Sequence, residues 1–511
     1  MKLSELIDAF PVRQYRRKKD ARGTLLPDPE IRSIHYRSQD VEPGGLFIAV
    51  SGFRTDGHEF IDDALARGAA AVMVQKTVER NVAVVEVSDT RAAMGPIAAR
   101  FYGDPSRRMT VIGITGTNGK TTTSLITESI LKQAGFSVGV IGTIDYHFSG
   151  KHYRNPVTTP ESPDLQRILG QMRDAGVTHV VMEASSHAVD LHRIDGCWMD
   201  AAVFTNLSQD HLDYHGDMAA YWACKKRLFI RHLADGPKAD HAVAVVNRNS
   251  PEGRELASMV RSGLITVGYT DDNTVWVTDD QSRLDGISGR LTMPGGSFLF
   301  RSPLVGRHNI ENILCASGAA LAAGVPPAAI QAGIGLLRNV PGRLESVPNA
   351  FGRFIFVDYA HTPDALENVL MAVTALSAGK IICVFGCGGD RDRKKRPLMG
   401  EIAGRLADLA VVTSDNPRTE DPMAIIRQML PGIKQAAGRE YGPEDLAAGV
   451  NDKGFLIEPD RRRAIRMALT ASRPGDVLLI AGKGHETYQI IGEKTLAFDD
   501  RVEVVEALKR L

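Results

Sequence analysis

Cysteine is scarce in this chain. Five occur in 511 residues, Cys197, Cys224, Cys315, Cys383 and Cys387, an odd and scattered set without a pair of C-x-x-C motifs. That excludes a disulfide framework and a cysteine-built zinc site as organising features, and Cys383 and Cys387, flanking a strand end, read as packing residues. Net charge is lacking as well, since 61 lysines and arginines balance 61 aspartates and glutamates. No overall field therefore gathers nucleic acid or a membrane surface. The basic runs Arg16-Arg17-Lys18-Lys19 and Arg461-Arg462-Arg463 read as solvated faces. Apolar runs of about 18 residues are missing, which argues against membrane insertion. Met1-Lys2-Leu3-Ser4-Glu5-Leu6 has no apolar core of signal-peptide length, so a cytoplasmic location is expected. There is no internal repeat and no low-complexity tract.

At about 150 residues per domain, the length predicts roughly three domains, each able to bury a core. The first block, residues 1–106, has short strands at Leu46–Val50 and Ala70–Val74, a helix over Asp89–Phe101 and a linker at Asp104-Pro105-Ser106. It reads as a smaller α/β domain. The second, residues 107–340, alternates helices with apolar β-rich runs at Ser137–Ile141, His179–Met182, Ala201–Phe204 and Ala242–Val246. Continuous apolar strands with helical spacers predict a parallel sheet covered on both faces. Val275–Phe300 is expected to be antiparallel, with turns at Asp285-Gly286 and Pro294-Gly295-Gly296. The third block, residues 341–511, places strands at Phe354–Val357, Ile381–Phe385, Leu409–Val412 and Val477–Ile480, as in an open Rossmann-like sheet. The fold class is thus α/β in three domains, with a P-loop-type central sheet.

In such sheets ligands sit beyond the carboxyl ends of the strands, and the polar motifs fall there. Gly116-Thr117-Asn118-Gly119-Lys120-Thr121-Thr122 follows the β-branched run Met109–Thr115 and opens a helical segment. Its glycines let several N–H groups face one anion, Lys120 reaches terminal phosphates, and a hydroxyl of Thr121 or Thr122 suits Mg²⁺. Ile114 stands where the usual motif has its first glycine, so this is a variant loop. ATP or GTP use follows. Glu183, after the His179–Met182 strand, is placed either as a Mg²⁺ ligand or as a turn cap. The loop Thr205–Gly216 concentrates ionisable groups; His211 suits a metal, and Asp213 and His215 suit either a metal or loop hydrogen bonds. Lys225 and Lys226 lie on a helix spanning Met218–Arg227, where composition favours ordinary solvated lysines.

Eight motifs then resemble, in order and spacing, the Mur ligases of peptidoglycan synthesis, and within them the third-residue-adding, MurE-type branch, from about residue 30 onward. They are the phosphate loop, Glu183-Ala184-Ser185-Ser186-His187, Thr205–Gly216, Val340-Pro341-Gly342-Arg343-Leu344-Glu345, Asp358-Tyr359-Ala360-His361-Thr362-Pro363, Gly386–Asp392, Asp415-Asn416-Pro417-Arg418 and Gly482-Lys483-Gly484-His485-Glu486. The resemblance implies a domain for the UDP-MurNAc substrate at 1–106, an ATP-binding domain at 107–340 and an amino-acid-binding domain at 341–511. It implies a monomer that uses ATP and Mg²⁺ to phosphorylate the side-chain carboxylate of UDP-MurNAc-L-Ala-D-Glu, after which an amine attacks the acyl phosphate. Charge growing on a polyanionic γ-phosphate needs neutralising cations, which Mg²⁺ and Lys120 supply.

By the same resemblance Lys120, His211 and Lys225 are catalytic. Gly116, Thr117, Asn118, Gly119, Lys120, Thr121, Thr122, Asn312, Arg343 and Asp358 contact ATP. Asn312 is equally suited to cap a helix start. Thr121, Glu183, His211 and a carbamylated Lys225 (N6-carboxylysine) hold metal, and carbamylation requires a neutral amine, hence a lowered lysine pKa. Ser38, Thr158, Thr159, Ser185 and Arg193 contact the nucleotide-sugar peptide. The chain departs from the family at Arg37-Ser38-Gln39, where Asp-Ser-Arg is usual, and at Leu191, where glutamine is usual.

Family members add meso-diaminopimelate or L-lysine, which differ by one distal carboxylate. A planar bidentate donor reads a carboxylate, and Arg418 provides one. The resemblance completes a diaminopimelate site with Arg391, Asp415, Asn416, Pro417, Gly482 and Glu486. Asp415-Asn416-Pro417-Arg418 is also a plain turn signal, and both readings can hold. Folylpolyglutamate synthetase shares the central architecture but is not expected to carry the motifs around Ser38 or Arg418. A GTPase switch is disfavoured by the lack of a guanine-reading Asn/Thr-Lys-x-Asp after Lys120.

Overall fold

The computed structural model describes residues 1–52, 55–261 and 263–510, apart from the side chains of residues 447 and 448. It divides into two compact units, one of Met1–Val277 with Leu291–Phe298 and Glu311–Gly333, the other of Thr278–Arg290, Leu299–Ile310 and Ile334–Leu511. The secondary structure is mixed α/β throughout.

Strands β1 (Gln14–Arg16), β2 (Ser33–His35), β3 (Gly45–Ile48), β4 (Ala71–Val74) and β5 (Ala83–Glu86) form a five-stranded sheet ordered β1-β5-β4-β3-β2. Its expected helix is Thr90–Phe101, begun by Asp89, whose carboxylate accepts from the N–H groups of Arg91 and Ala92. The predicted linker at Asp104–Ser106 is different. Pro105–Arg108 is a 3₁₀ turn with Pro105 and Ser106 buried, and the Ser106 hydroxyl accepts from the Trp198 N–H at 3.0 Å. A proline in the first helical position and a partner for the hydroxyl make the segment a packed joint.

The second sheet is built on β6 (Thr110–Thr115), β7 (Val138–Ile141), β8 (Asp145–Phe148), β9 (Lys151–Arg154), β10 (His179–Glu183), β11 (Ala201–Phe204), β12 (Val243–Asn247) and β13 (Gly263–Gly268). They run in the order β13-β12-β11-β6-β10-β7-β8-β9, parallel from β13 to β7. Burial on both faces explains the unbroken apolar runs: every residue of β7, β10 and β11 is buried. The turns expected at Asp285-Gly286 and Pro294-Gly295-Gly296 separate β14 (Val275–Arg283), β15 (Gly286–Met293) and β16 (Gly296–Ser302). The central position of β6 matters most. Register sets Glu183 beside Ile114 and Phe204 beside Thr115, so the ends of β10 and β11 flank whatever leaves β6.

The second unit holds a sheet ordered β17-β18-β23-β19-β20-β22-β21. Here β17 is Glu345–Ser346, β18 Phe354–Asp358, β19 Ile381–Phe385, β20 Leu409–Val412, β21 Arg439–Glu440, β22 Gly454–Ile457 and β23 Val477–Ala481. A hairpin follows, β24 (Tyr488–Ile491) with β25 (Lys494–Ala497). The reading of Arg461–Arg463 as a solvated face fails for its first residue. Arg461 is fully buried and bidentate with the equally buried Asp500, at 2.7 Å to each oxygen. Its remaining N–H groups reach Ala481 O at 3.0 Å and Ser414 O at 3.4 Å, so it ties together the ends of β23 and β20. A neutral total charge says nothing about one arginine that pairs locally. All five cysteines are buried free thiols, Cys383 and Cys387 among them. No helix among the described residues is long and apolar enough to cross a membrane.

Candidate functional site

The segment leaving β6 turns at Gly116 (φ +148°) and Gly119 (φ +84°), and Gly119 caps the helix Lys120–Gln133. Both glycines are required. A Cβ on Gly116 would collide with Thr205 Oγ1, and one on Gly119 with Asn312 Oδ1. The loop is latched to the end of β11: Thr117 N donates to Asn206 O (2.9 Å), Asn118 N to Asn206 Oδ1 (2.9 Å), and Thr205 Oγ1 to Asn118 O (2.6 Å). The helix is threonine-rich, which alone would weaken it. Its polar face is instead buried and internally bonded, with Ser124 Oγ donating to Thr121 O and Thr127 Oγ1 to Thr123 O. The result is a fixed helix N-terminus beside a glycine turn, a geometry that receives phosphate.

Glu183 ends β10, and its carboxylate accepts from Thr121 Oγ1 (3.0 Å), Thr143 N (2.9 Å) and Thr143 Oγ1 (3.0 Å). A turn cap would not reach the phosphate-loop helix; this carboxylate does. Of the two helix lysines, Lys226 pairs with Glu255 near the surface at 2.8 Å. Lys225 is 1 % exposed and donates to Gly116 O at 2.8 Å. Burial, and then the positive charge of Lys120, hold its amine well below the usual lysine range. The helix that carries it starts at Asp217, whose carboxylate accepts from the Ala220 N–H at 2.8 Å. His211 sits at φ +53° before the short helix Leu212–His215, with its ring 4.8 Å from that of His187. Desolvation and the neighbouring histidines lower the pKa of His187 to about 4, and burial lowers that of His211. His215 donates or accepts at Ser186 Oγ (2.9 Å), a loop contact. The Thr121 and Glu183 oxygens suit a hard divalent cation; the imidazole of His211 would be its one nitrogen donor.

Four of the residues expected to contact the nucleotide-sugar peptide lie together. Thr158 Oγ1 is 3.1 Å from Thr143 Oγ1, and Thr159 Oγ1 donates to Glu183 O (2.8 Å) while lying 3.4 Å from Ser185 Oγ. Arg193 donates to Thr159 O (3.2 Å) and pairs with Glu161 (3.0 Å). Ser38 lies in the smaller sheet region, where it opens a 3₁₀ turn and bonds Asp63. Asn312 is not a helix cap. The helix spans His308–Ala322, and Asn312 is buried in its second turn, 3.4 Å from Thr123 Oγ1.

In the second unit Asp358 ends β18. It accepts from Leu344 N (2.7 Å) and Ala360 N (2.8 Å), and burial pushes its carboxyl pKa up against the pull of Arg343. Gly342 (φ +68°) brings this turn against the loop after β23, because a Cβ there would stand 2.5 Å from His485 N. Beyond β20, Asn416 Nδ2 donates to Glu486 Oε2 at 2.9 Å, and Gly482 leaves no room for a side chain beside Asp415 Oδ2, 2.9 Å from its would-be Cβ. Pro417 O lies against Gly389, whose would-be Cβ it would strike. Arg418 stands at φ +52°, strained for an arginine, and is held by Arg418 N to Ile490 O (3.0 Å) and Gly492 N to Arg418 O (2.7 Å). Its guanidinium donates to Gly389 O (2.7 Å), and its charge helps hold the Asp390 carboxyl below the usual carboxylate range, after the hydrogen bonds from Thr419. Arg391 Cγ and Arg418 Nη1 both border Gly388, at 3.8 and 3.0 Å from its would-be Cβ. Of the six positions expected from the motifs, Arg391 borders Gly388 with Arg418 and Asn416 O lies 3.5 Å from the Arg418 guanidinium, Pro417 precedes Arg418 in the chain, Glu486 is joined to Asn416, and Gly482 lies against Asp415.

Sequence reasoning missed residues that hold these groups. Thr143 shares Glu183 with Thr121, as described above. Lys483, fully buried, donates to Glu486 Oε2 (3.0 Å) and Asn416 Oδ1 (3.2 Å). Arg396, also fully buried, grips both oxygens of Glu420 and donates to Gly388 O (3.2 Å). Lys483 had a signal, since a lysine between two glycines at a strand end has few solvated alternatives. Thr143 and Arg396 had none.

Three family models match the chain: "Mur ligase family, catalytic domain" at residues 30–102, "Mur ligase middle domain" at 114–320, and "Mur ligase, glutamate ligase domain" at 342–484. A relative from Geobacter metallireducens, UDP-N-acetylmuramoyl-L-alanyl-D-glutamate–2,6-diaminopimelate ligase, is 50% identical over 484 residues, 94% of this chain and 95% of the relative. A solved structure titled as the same ligase is 34% identical, covers 94% of this chain and 95% of its own, and superposes with a TM-score of 0.68. A Thermotoga maritima MurF ligase solved in complex with ADP shares the fold at 20% identity, with a TM-score of 0.61 over 95% of this chain and 99% of its own.

Proposed function

The chain belongs to the Mur ligase family, and from that premise we propose that it is an ATP-dependent ligase adding meso-diaminopimelate to the D-Glu side-chain carboxylate of UDP-MurNAc-L-Ala-D-Glu. The relatives' printed activity supports this, and the observation that carries the choice of amine is Arg418. The half-buried guanidinium is hydrogen-bonded only to carbonyls among the described residues, with the Asp390 carboxylate near enough to feel its charge, and so has donors left for a further anion. The distal carboxylate of diaminopimelate supplies one and L-lysine does not.

In this reading residues 1–106 bind the UDP-MurNAc substrate, 107–340 bind ATP and 341–511 bind the amino acid. The three larger sheets and three family matches at corresponding positions support the partition. Gly116, Thr117, Asn118, Gly119, Thr121 and Thr122 wrap the phosphates, with Asn312, Arg343 and Asp358 on the rest of the nucleotide. Lys120 now donates to Gly116 O (3.0 Å) and Thr117 O (2.8 Å), carbonyls it exchanges for phosphate oxygens. Thr121, Glu183, His211 and a carbamylated Lys225 would hold Mg²⁺, which would supply charge neutralisation at the γ-phosphate. Lys120 draws charge from the transferring phosphoryl group as the substrate carboxylate oxygen bonds to phosphorus and ADP leaves. Ser38, Thr158, Thr159, Ser185 and Arg193 orient the peptide that carries that carboxylate. Asn416 and Glu486, with Arg391, Asp415, Pro417 and Gly482 around them, hold the ammonium and carboxylate of the far end. The neutral near amine attacks the acyl carbon, and the tetrahedral adduct expels phosphate and loses a proton to leave the amide.

The protein acts as a monomer in the cytoplasm. The test is product mass after incubation with ATP, Mg²⁺, UDP-MurNAc-dipeptide and each diamino acid. A diaminopimelate adduct with little lysine adduct is expected; equal turnover of L-lysine refutes the assignment.

A further inference from the structure

A second cluster of metal-ligating side chains lies on the hairpin β8–β9. Ser149 (φ +49°) and Gly150 (φ +73°) form its two-residue turn, both with the positive φ that a type I′ turn needs. That turn fixes the register, pairing His147 with His152. Because side chains alternate along a strand, Asp145 shares their face. The two imidazoles stack with centroids 4.7 Å apart and planes at 26°. Asp145 lies between them, Oδ1 2.7 Å from His147 Nδ1 and Oδ2 2.6 Å from His152 Nδ1. The three ligand atoms fall within 4.8 Å of one another.

On its other side His147 Nε2 is 2.9 Å from Glu128 Oε1, a buried carboxylate on the helix Lys120–Gln133. A carboxylate behind a histidine is the arrangement that fixes the tautomer of a metal-bound imidazole and turns its other nitrogen toward the ion. Lys132, 2.6 Å from the same Glu128 oxygen, holds that carboxylate in place. His152 is the exposed member and gives an ion its way in from solvent.

We propose that Asp145, His147 and His152 bind a first-row divalent ion of the Zn²⁺ type, separate from the Mg²⁺ site. Two imidazole nitrogens and a carboxylate suit Zn²⁺ and leave a position for water, whereas Mg²⁺ prefers oxygen alone. Each imidazole then presents an unprotonated Nδ1 to the ion and keeps one proton on Nε2, any proton beyond that passing to solvent. It joins both strands of the hairpin and, through Glu128, fastens them to the phosphate-loop helix.

The test titrates the full chain with Zn²⁺ in excess Mg²⁺, reading stoichiometry by calorimetry and the ligand shell by X-ray absorption. One equivalent with two imidazoles in its shell is expected, with slower amide exchange over residues 145–154. His152→Ala, at an exposed position, should lose that equivalent yet keep its ligase activity in Mg²⁺ alone. Glu128→Gln should weaken binding by about 10- to 100-fold, and His211→Ala should keep it. Equal Zn²⁺ binding by the native protein and His152→Ala, or loss of the equivalent in His211→Ala alone, overturns the proposal.

Discussion

Lys120 and Lys225 donate to the same atom. The Nζ of each lies within hydrogen-bond distance of Gly116 O, at 3.0 and 2.8 Å. Desolvation makes a second charge expensive there, and repulsion from Lys120 adds to it, so Lys225 gives up its proton first. A neutral amine is what reaction with CO₂ requires. Burial, with the charge of Lys120 adding to it, thus favours in Lys225 the neutral form that the proposed carbamylation needs.

This leads to the first expectation. With ¹³C-labelled bicarbonate, NMR should show one carbamate carbon, lost in Lys225→Arg and kept in Lys226→Ala. Arginine remains charged and cannot take CO₂, so its turnover should fall by about 10²-fold or more, the scale for losing one group that stabilises transition-state charge. A Lys225→Arg enzyme near native turnover would rule the carbamate out.

In the proposed function Arg418 selects the amine. Its positive φ and the backbone bonds to Ile490 and Gly492 fix where the guanidinium points, so lysine at this position would lose both the fork and its aim. Arg418→Lys should lower kcat/KM for diaminopimelate by about 2–5 kcal/mol, the scale for unpairing a buried hydrogen-bonded charge. The preference for diaminopimelate over L-lysine should collapse with it. Competition between the two amines, read by product mass, checks this; an unchanged preference would place the carboxylate elsewhere.

The pattern of these residues explains what was legible beforehand. Parallel strands buried on both faces announce themselves as apolar runs, so β6, β10, β11, β19, β20 and β23 were readable to within a residue or two. Motif residues at their ends were readable because glycine turns and clustered ionisable groups have few packing explanations. Arg461 was misread because its partner Asp500 is 39 residues away, and long-range pairing leaves no local trace. Asn312 was ambiguous because a helix start is uncertain by a turn when His308, Asn309 and Asn312 all offer side-chain acceptors. Composition alone did not separate Lys225 from Lys226; the resemblance singled out Lys225, and the packed helix phase is what buries it.

Lys483 is a positioning residue for Glu486. It is fully buried, and its bonds to Glu486 and Asn416 hold the Glu486 carboxylate against Asn416. Lys483→Met should raise KM for diaminopimelate about tenfold or more while KM for ATP stays close to native, since an uncompensated buried carboxylate reorients or protonates. A merely structural role would instead weaken both substrates. In a double-mutant cycle with Glu486→Gln the stability losses should be strongly non-additive, because the second change removes the charge the first left unpaired. Additive losses would show that the two side chains act independently.

His232 should set part of the acid sensitivity of the first unit. It is nearly enclosed, and burial lowers its pKa to about 4, although Asp195, 3.8 Å away, pulls upward. Arg231 and His192 oppose that pull. A histidine depressed on folding binds its proton more readily when unfolded, near pH 6.5, than when folded. Its stabilisation is therefore full above about pH 6.5 and is lost as pH falls toward 4. From the two pKa values, the loss at pH 5 is roughly 2 kcal/mol. His147 runs the other way: burial opposes its charge, but Asp145 and Glu128 raise its pKa to about 9, so it costs nothing on acidification. Glutamine at 232 cannot titrate. The stability gap between the native chain and His232→Gln, measured from urea transitions, should accordingly shrink by about that amount between about pH 7.5 and pH 5. A gap that stays constant across this range would mean that His232 is already protonated in the fold, with Asp195 rather than burial deciding its charge.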